Sequence, residues 1–171
     1  MKIMKKQIIY SLLALTTVCL GACNNNDEID TANSIFSTEP LERNAFDSGL
    51  LEIYTYPYNI DFMYRMKDIE SDHKYNLVPA DYDKAVALSK IIKHVWMDAY
   101  VELAGMDFLR VYVPKTFHLI GSPAYESSGN MVLGTAEGGK KITLYNVNDL
   151  NIKKINIEKL NEYYFETMHH E

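Results

Sequence analysis

Residues 157–171 read IEKLNEYYFETMHHE, and this stretch at the end of the 171-residue chain predicts an amphipathic helix. Asn156 is a favourable N-cap, and Glu158 places negative charge in the first turn, where the helix dipole favours it. Apolar side chains recur every three or four residues and predict a single buried face, which comprises Ile157, Leu160, Tyr164 and Met168. The helix is therefore expected to end with His170 and Glu171.

His170 and Glu171 match the first two positions of the motif His-Glu-x-x-His. In that motif, two histidines four residues apart lie on one face of a helix and bind zinc, and the glutamate acts as a general base. Two residues alone are weak evidence, because a His-Glu pair near a terminus is more often a solvated helix end. The helix alone therefore leaves both interpretations open.

The first 22 residues have the pattern of a bacterial export signal. Three lysines precede an apolar run over residues 8–20, and Leu20-Gly21-Ala22-Cys23 closes it. An aliphatic residue, two small residues and a cysteine form a lipobox, in which Cys23 would become the lipidated, palmitate-bearing first residue of the mature protein. A transmembrane anchor is the weaker alternative, because the run is shorter than the roughly 20 residues that span a bilayer.

Composition limits the chemistry of the mature chain. The full sequence has two cysteines, Cys19 inside the leader and Cys23 at the lipobox. The mature chain would therefore have no free thiol, and a disulfide or a thiolate metal site is not expected. Any metal would be held by histidine and carboxylate, as catalytic zinc often is. The chain has 17 basic and 23 acidic residues; removing Lys2, Lys5 and Lys6 leaves 14 against 23, a net charge of −9. This charge argues against nucleic acid as a partner.

The sequence divides into three parts. Residues 1–22 are predicted to be the signal peptide, residues 23–47 the lipidated cysteine and a flexible tether, and residues 48–171 one domain. The tether is acidic close to the lipid, with Asp27, Glu28 and Asp30. Such residues resemble the surface-export signal of some Gram-negative lipoproteins, although an ordinary solvated linker explains them equally well.

Periodicity within the domain predicts an α+β fold. Alternation over residues 60–66 indicates a half-buried strand, and Pro79-Ala80-Asp81 opens a long helix that ends at Gly105. Four further runs are predicted to be strands, with Gly138-Gly139 as a hairpin turn between the last two: residues 108–113, 117–120, 131–136 and 141–147. We expect a mixed twisted sheet, one long backing helix, and residues 131–136 as an edge strand beside the final helix.

Several conspicuous side chains are predicted to be structural. His94 and Asp98 lie four residues apart on the long helix, as expected of a partly exposed ion pair. Trp96, the single tryptophan, is expected to pack in the core. His118 is a lone histidine in a strand and is assigned no function.

Four segments together resemble a known family. They are the lipobox leader, the strand at residues 58–65 (YNIDFMYR), residues 134–148 (GTAEGGKKITLYNVN), and residues 167–171 (TMHHE). The chain is similar to the substrate-import-associated zinc metallohydrolase lipoproteins, which are zincin-like metallopeptidases of bacterial cell envelopes associated with TonB-dependent nutrient import. The resemblance covers most of the mature chain, and residues 134–148 are its most specific part.

The resemblance implies a zinc-dependent hydrolase of peptide-like substrates. His170 would be the first zinc ligand, and Glu171 the general base that takes a proton from the attacking water. His169 is not expected to bind the metal, because adjacent side chains on a helix point about 100° apart. The second histidine, three residues beyond Glu171, and a third ligand are absent from these 171 residues. The chain is therefore expected to be truncated within the motif and inactive on its own.

The resemblance also implies a location and partners. Lipid at Cys23 would anchor the protein in the cell envelope, at the outer membrane. If the acidic residues after Cys23 act as a surface-export signal, the protein would be exposed on the cell surface. A TonB-dependent outer-membrane transporter and its binding lipoprotein would be its partners. The alternative is a non-catalytic surface lipoprotein that binds nutrients or supports a transporter, for which the 13 tyrosines would supply aromatic faces.

Overall fold

The structure is a computed structural model that describes residues 42–170. The predicted signal peptide, Cys23, most of the predicted tether and Glu171 lie outside the described residues. Within residues 42–170, no helix combines the length and apolar character that crossing a membrane requires.

Four main helices lie between residues 42 and 170, and three of them contain a π-helical segment. Helix α1 comprises Ala45–Leu50, the π segment Leu51–Thr55, and Tyr56–Tyr58. Helix α2 comprises Tyr82–Ile91, the π segment Ile92–Met97, and Asp98–Ala104. Helix α3 is Met106–Tyr112. Helix α4 comprises Ile157–Leu160, the π segment Asn161–Phe165, and Glu166–His170.

Side-chain caps begin the first and last of these helices. Asn44 and Asp47 form a reciprocal capping box at the start of α1, within the range assigned to the tether. The Asn156 side chain accepts a hydrogen bond from the backbone N–H of Lys159 and caps α4, as the sequence predicted.

Six short strands form two sheets within the described residues. The strands are β1 Asp61–Met63, β2 Thr116–Leu119, β3 Ala124–Tyr125, β4 Met131–Val132, β5 Gly134–Ala136 and β6 Lys141–Leu144. The larger sheet has the order β1-β2-β6-β5, and β3 pairs with β4 in the smaller one. In the larger sheet β1, β2 and β6 are parallel, whereas β5 runs antiparallel to β6. The α+β fold with a mixed sheet is thus confirmed.

The main core lies between one face of the larger sheet and the helices. Alternate residues of the central strands are fully buried there: Phe117, Leu119, Ile142 and Leu144. They pack against side chains of α1, α2 and α4, including Tyr54, Leu88, Ile92 and Tyr164. A smaller cluster of Ile120, Ala124 and Tyr145 is separate from this core.

The predicted strand at residues 108–113 is wrong, because residues 106–112 form helix α3. The run is rich in β-branched and aromatic residues, which suit a strand in isolation. In the folded chain Phe108 stacks on Tyr100 of α2, with ring centroids 6.1 Å apart, and Tyr112 lies one turn later against Phe108 at 4.9 Å. Packing on the preceding helix therefore overrides the local preference.

Two smaller expectations also need correction. Ile157 is 78% exposed, so the buried face of α4 begins at Leu160. Residues 131–136 form two short strands, β4 and β5, that flank Leu133 and belong to different sheets. The long helix ending at Gly105 and the turn at Gly138-Gly139 are confirmed, and both turn glycines have positive φ.

Candidate active-site groove

A groove of about 520 Å³ separates α4 from β4 and β5. Its helix side is formed by Glu162, Glu166 and His170, which are spaced four residues apart and therefore share one face of α4. Its strand side is formed by Met131, Val132, Leu133, Gly134 and Ala136. The histidine selected from the sequence thus lies in a groove whose opposite wall is strand β5.

Close packing between Gly134 and Thr167 fixes the distance between the two walls. A Cβ added to Gly134 would lie 2.5 Å from the Thr167 hydroxyl oxygen and 2.7 Å from its methyl carbon. These separations are too short for any real side chain. Glycine at position 134 therefore allows α4 to lie directly against the backbone of β5.

Strand β5 is at the edge of the larger sheet, because β6 is its one neighbour within residues 42–170. An edge strand leaves one row of backbone N–H and C=O groups without a strand partner, and an extended peptide can pair with that row. The groove therefore combines an imidazole with a surface suited to an extended chain. The expected edge strand beside the final helix is confirmed for the β5 part of residues 131–136.

The two adjacent histidines of α4 point to different sides of the helix. His170 lines the groove, whereas Nδ1 of His169 lies 3.3 Å from the Tyr100 hydroxyl oxygen of α2. The His169 ring also lies 6.4 Å from the Trp96 ring, measured between centroids. His169 therefore contributes to helix packing, and His170 is the histidine available to the groove.

The family model described as "Putative zinc-binding metallo-peptidase" matches residues 39–171. The chain belongs to this family. A crystal structure of a "putative zinc-binding metallo-peptidase" from Bacteroides caccae is similar, with 47% sequence identity and a TM-score of 0.58. The match covers 80% of this chain and 51% of that one, so this chain spans about half the length of its structural relative. Comparison with curated proteins found no match.

Membership of this family implies a zinc ion, so the side chains near His170 can be compared with the number of protein ligands that a zinc site needs. A catalytic zinc site takes three protein ligands and keeps an open position. Within residues 42–170, no group of three or more His, Cys, Asp or Glu side chains is arranged to hold a metal. The described part of this metallopeptidase chain thus contributes one imidazole to the groove and does not by itself form a complete zinc site.

The remaining residues singled out in the sequence lie away from the groove. Trp96 is 6% exposed and packs in the core, as predicted. The predicted ion pair on α2 is exposed, with His94 Nδ1 3.7 Å from an Asp98 carboxylate oxygen. Glu171 and Cys23 lie outside the described residues, so their roles remain predictions.

His118 is the residue whose environment the sequence did not reveal. It is fully buried, and neither ring nitrogen has a hydrogen-bond partner in the described part of the chain. Burial, followed by the positive charge of Lys141, lowers the pKa of His118 from 6.5 to about 4. His118 lies on the opposite face of β2 from Phe117 and Leu119, and a strand pattern in the sequence cannot show what covers that face.

Proposed function

We propose that the groove between α4 and β5 is the substrate site of a zinc-dependent peptide hydrolase. The observation that carries this proposal is the position of His170 in a groove walled by an edge strand. An extended peptide would pair with the free edge of β5, which would hold its backbone alongside α4. Ala136 lines the groove with a small side chain, whereas the space next to Gly134 is filled by Thr167.

In this proposal His170 is one zinc ligand and Glu171 is the general base. Zinc, when bound, would polarise the scissile carbonyl and make water a stronger nucleophile. The contribution of this chain is to hold the imidazole on a helix packed against the strand that binds substrate. Glu162 and Glu166 make the same helix face acidic, and they would favour the approach of a cation.

The first test is translation of the DNA that follows the codon for Glu171. Two residues and then a histidine would complete the motif, whereas a stop codon without such a continuation would favour the non-catalytic nutrient-binding alternative. The protein carrying the complete motif is expected to hydrolyse unstructured peptides. His170→Ala should abolish that hydrolysis, and His169→Ala should retain it, because His169 faces α2. Equal activity of the parent and His170→Ala would refute the proposed ligand.

We further propose that the 171-residue chain, prepared alone, binds zinc weakly and is inactive. Its groove supplies one imidazole, whereas a stable catalytic site needs three protein ligands. Titration of the purified chain with zinc by calorimetry should give no tight isotherm. A tight one-to-one isotherm that His170→Ala removes would contradict this proposal.

The cellular setting is also a proposal. Lipid at Cys23 would anchor the protein in the cell envelope, at the outer membrane, and a TonB-dependent transporter with its binding lipoprotein would be the partner. The lipobox and the resemblance of residues 134–148 to import-associated lipoproteins support this proposal. Co-purification of a TonB-dependent transporter from detergent-solubilised membranes would test the partner, and recovery of the protein without one would count against it.

A further inference from the structure

The groove between α4 and β5 has one charged wall. Glu162 and Glu166 are exposed on that wall, and with His170 they are spaced four residues apart. No lysine or arginine lines the groove among the described residues. Each step of four residues advances roughly 6 Å along a helix, so the two carboxylates extend the acidic surface to roughly 12 Å from the imidazole. The space next to the proposed zinc ligand is therefore negatively charged.

The two carboxylates are not neutralised by the rest of the folded chain. Neither forms a salt bridge within residues 42–170. Glu162 attracts Lys159 at longer range, but Lys159 is already paired with Asp149 at 3.1 Å. Like charges four residues apart on a helix repel one another. A cation in the groove would relieve this repulsion, whereas a carboxylate there would add to it.

An extended peptide on the edge of β5 would bring its side chains to these carboxylates. A Cβ at Gly134 would meet Thr167, so this face of β5 is turned towards α4. Side chains alternate between the two faces of a strand, so every second side chain of a paired peptide would point to the α4 side. Those side chains would lie about 6.6 Å apart, close to the roughly 6 Å between successive groove residues of α4. Both carboxylates can therefore contact side chains of one peptide.

We propose that Glu162 and Glu166 are specificity residues that select peptides with lysine or arginine on the side that faces α4. This inference rests on the proposed function, because it takes the groove as the substrate site. It adds the substrate class, which is an extended, basic peptide. Both carboxylates are exposed, so each is expected to contribute about twofold to fivefold in affinity.

The test measures the binding of three fluorescent peptides to the purified 171-residue chain by fluorescence anisotropy. Each peptide alternates threonine with one variable residue, which is lysine, glutamine or glutamate. The chain alone is expected to be inactive, so the peptides stay intact during the titration. The lysine peptide should bind most tightly and the glutamate peptide most weakly. Added salt should reduce this difference, because it screens exposed charges.

Substitutions on and off the groove identify the source of the preference. Glu162→Gln and Glu166→Gln should each weaken binding of the lysine peptide about twofold to fivefold and leave the glutamine peptide unaffected. Glu166→Lys should weaken the lysine peptide and strengthen the glutamate peptide, a gain that a misfolded variant would not show. Glu102→Gln is the matched control, because it removes the same charge from an exposed position of α2 that does not line the groove. It should bind all three peptides as the parent chain does.

Equal affinity for the three peptides would overturn the inferred specificity but would agree with a groove that binds the peptide backbone. An equal loss of affinity in Glu102→Gln and Glu166→Gln would also overturn it, because the preference would then arise from the net charge of −6 on the whole chain. If none of the peptides binds, both this inference and the proposed substrate groove are overturned.

Discussion

Tyr54 brings a hydroxyl group into the middle of the apolar core. The side chain is 1% exposed, and its hydroxyl donates a hydrogen bond to the Ser89 carbonyl oxygen at 2.5 Å. Burial is the main cause that raises the pKa of Tyr54, so the hydroxyl stays protonated and remains a donor. The bond ties α1 to α2 across the core.

We expect Tyr54→Phe to lower the free energy of unfolding by about 1 kcal/mol, because it removes this buried hydrogen bond and keeps the ring. Urea denaturation with an unchanged m-value would measure the loss. Tyr56→Phe is the control, since Tyr56 is 73% exposed and should behave like the parent chain. Equal stability of the parent and Tyr54→Phe would contradict the role of the bond.

His118 makes the free energy of unfolding depend on pH. Its pKa is lowered to about 4 in the folded chain, so the unfolded chain binds the extra proton first as the pH falls below about 6.5. The contribution of His118 to the free energy of unfolding should therefore be fully present above pH 6.5 and decrease by up to about 3 kcal/mol between pH 6.5 and 4.

Denaturation across that pH range should show a smaller decrease for His118→Leu, which has no group to titrate. Thr116→Val provides the control, because Thr116 lies in the same strand and has no ionisable side chain, and it should keep the full decrease. If His118→Leu keeps the full dependence on pH, the decrease arises elsewhere in the chain.

Contact between α4 and β5 is the element-scale feature that creates the groove. Helix α4 packs its buried face, which includes Leu160, Tyr164 and Met168, into the core, while Thr167 meets Gly134 of β5. Glu162, Glu166 and His170 are spaced four residues apart, so helix geometry places all three on the side of α4 that faces β5. A larger side chain at position 134 would force the two elements apart.

Gly134→Ala is expected to lower the free energy of unfolding by about 1–3 kcal/mol, because the new methyl would overlap Thr167. Gly49→Ala is a matched control, since Gly49 lies within α1 and has nothing within 4 Å of the added Cβ. That control should gain about 0.5–1 kcal/mol from helix propensity. A parallel loss in both variants, measured by urea denaturation, would show that the Thr167 contact is unimportant.

At the scale of the whole molecule, the anchor proposed at Cys23 can be tested separately from the folded domain. Cys23→Ala should abolish incorporation of labelled palmitate, because it removes the thiol of the residue that would carry the lipid. Cys19→Ala is the matched control, since Cys19 lies inside the apolar run, and it should keep the lipid. Palmitate incorporation in Cys23→Ala would refute the lipobox assignment.

The sequence alone determined features that depend on neighbouring residues. The cap at Asn156, the end of α2 at Gly105 and the turn at Gly138-Gly139 follow from local backbone chemistry. Periodicity identified the α+β class, and the residues at 134–148 and 167–171 pointed to the metallopeptidase family, of which the chain is a member. The residues that predict the cap, the helix end and the turn lie within a few positions of those features.

Tertiary structure decided which distant residues meet. Residues 106–112 form helix α3 instead of the predicted strand, and Phe108 packs on Tyr100 of α2. Strand β5 lies at the edge of the larger sheet, beside the helix that bears His170. Packing between elements also buries His118 without a partner among the described residues. Such contacts join residues far apart in sequence, and their free energy depends on how whole elements fit together, so periodicity and spacing do not contain them.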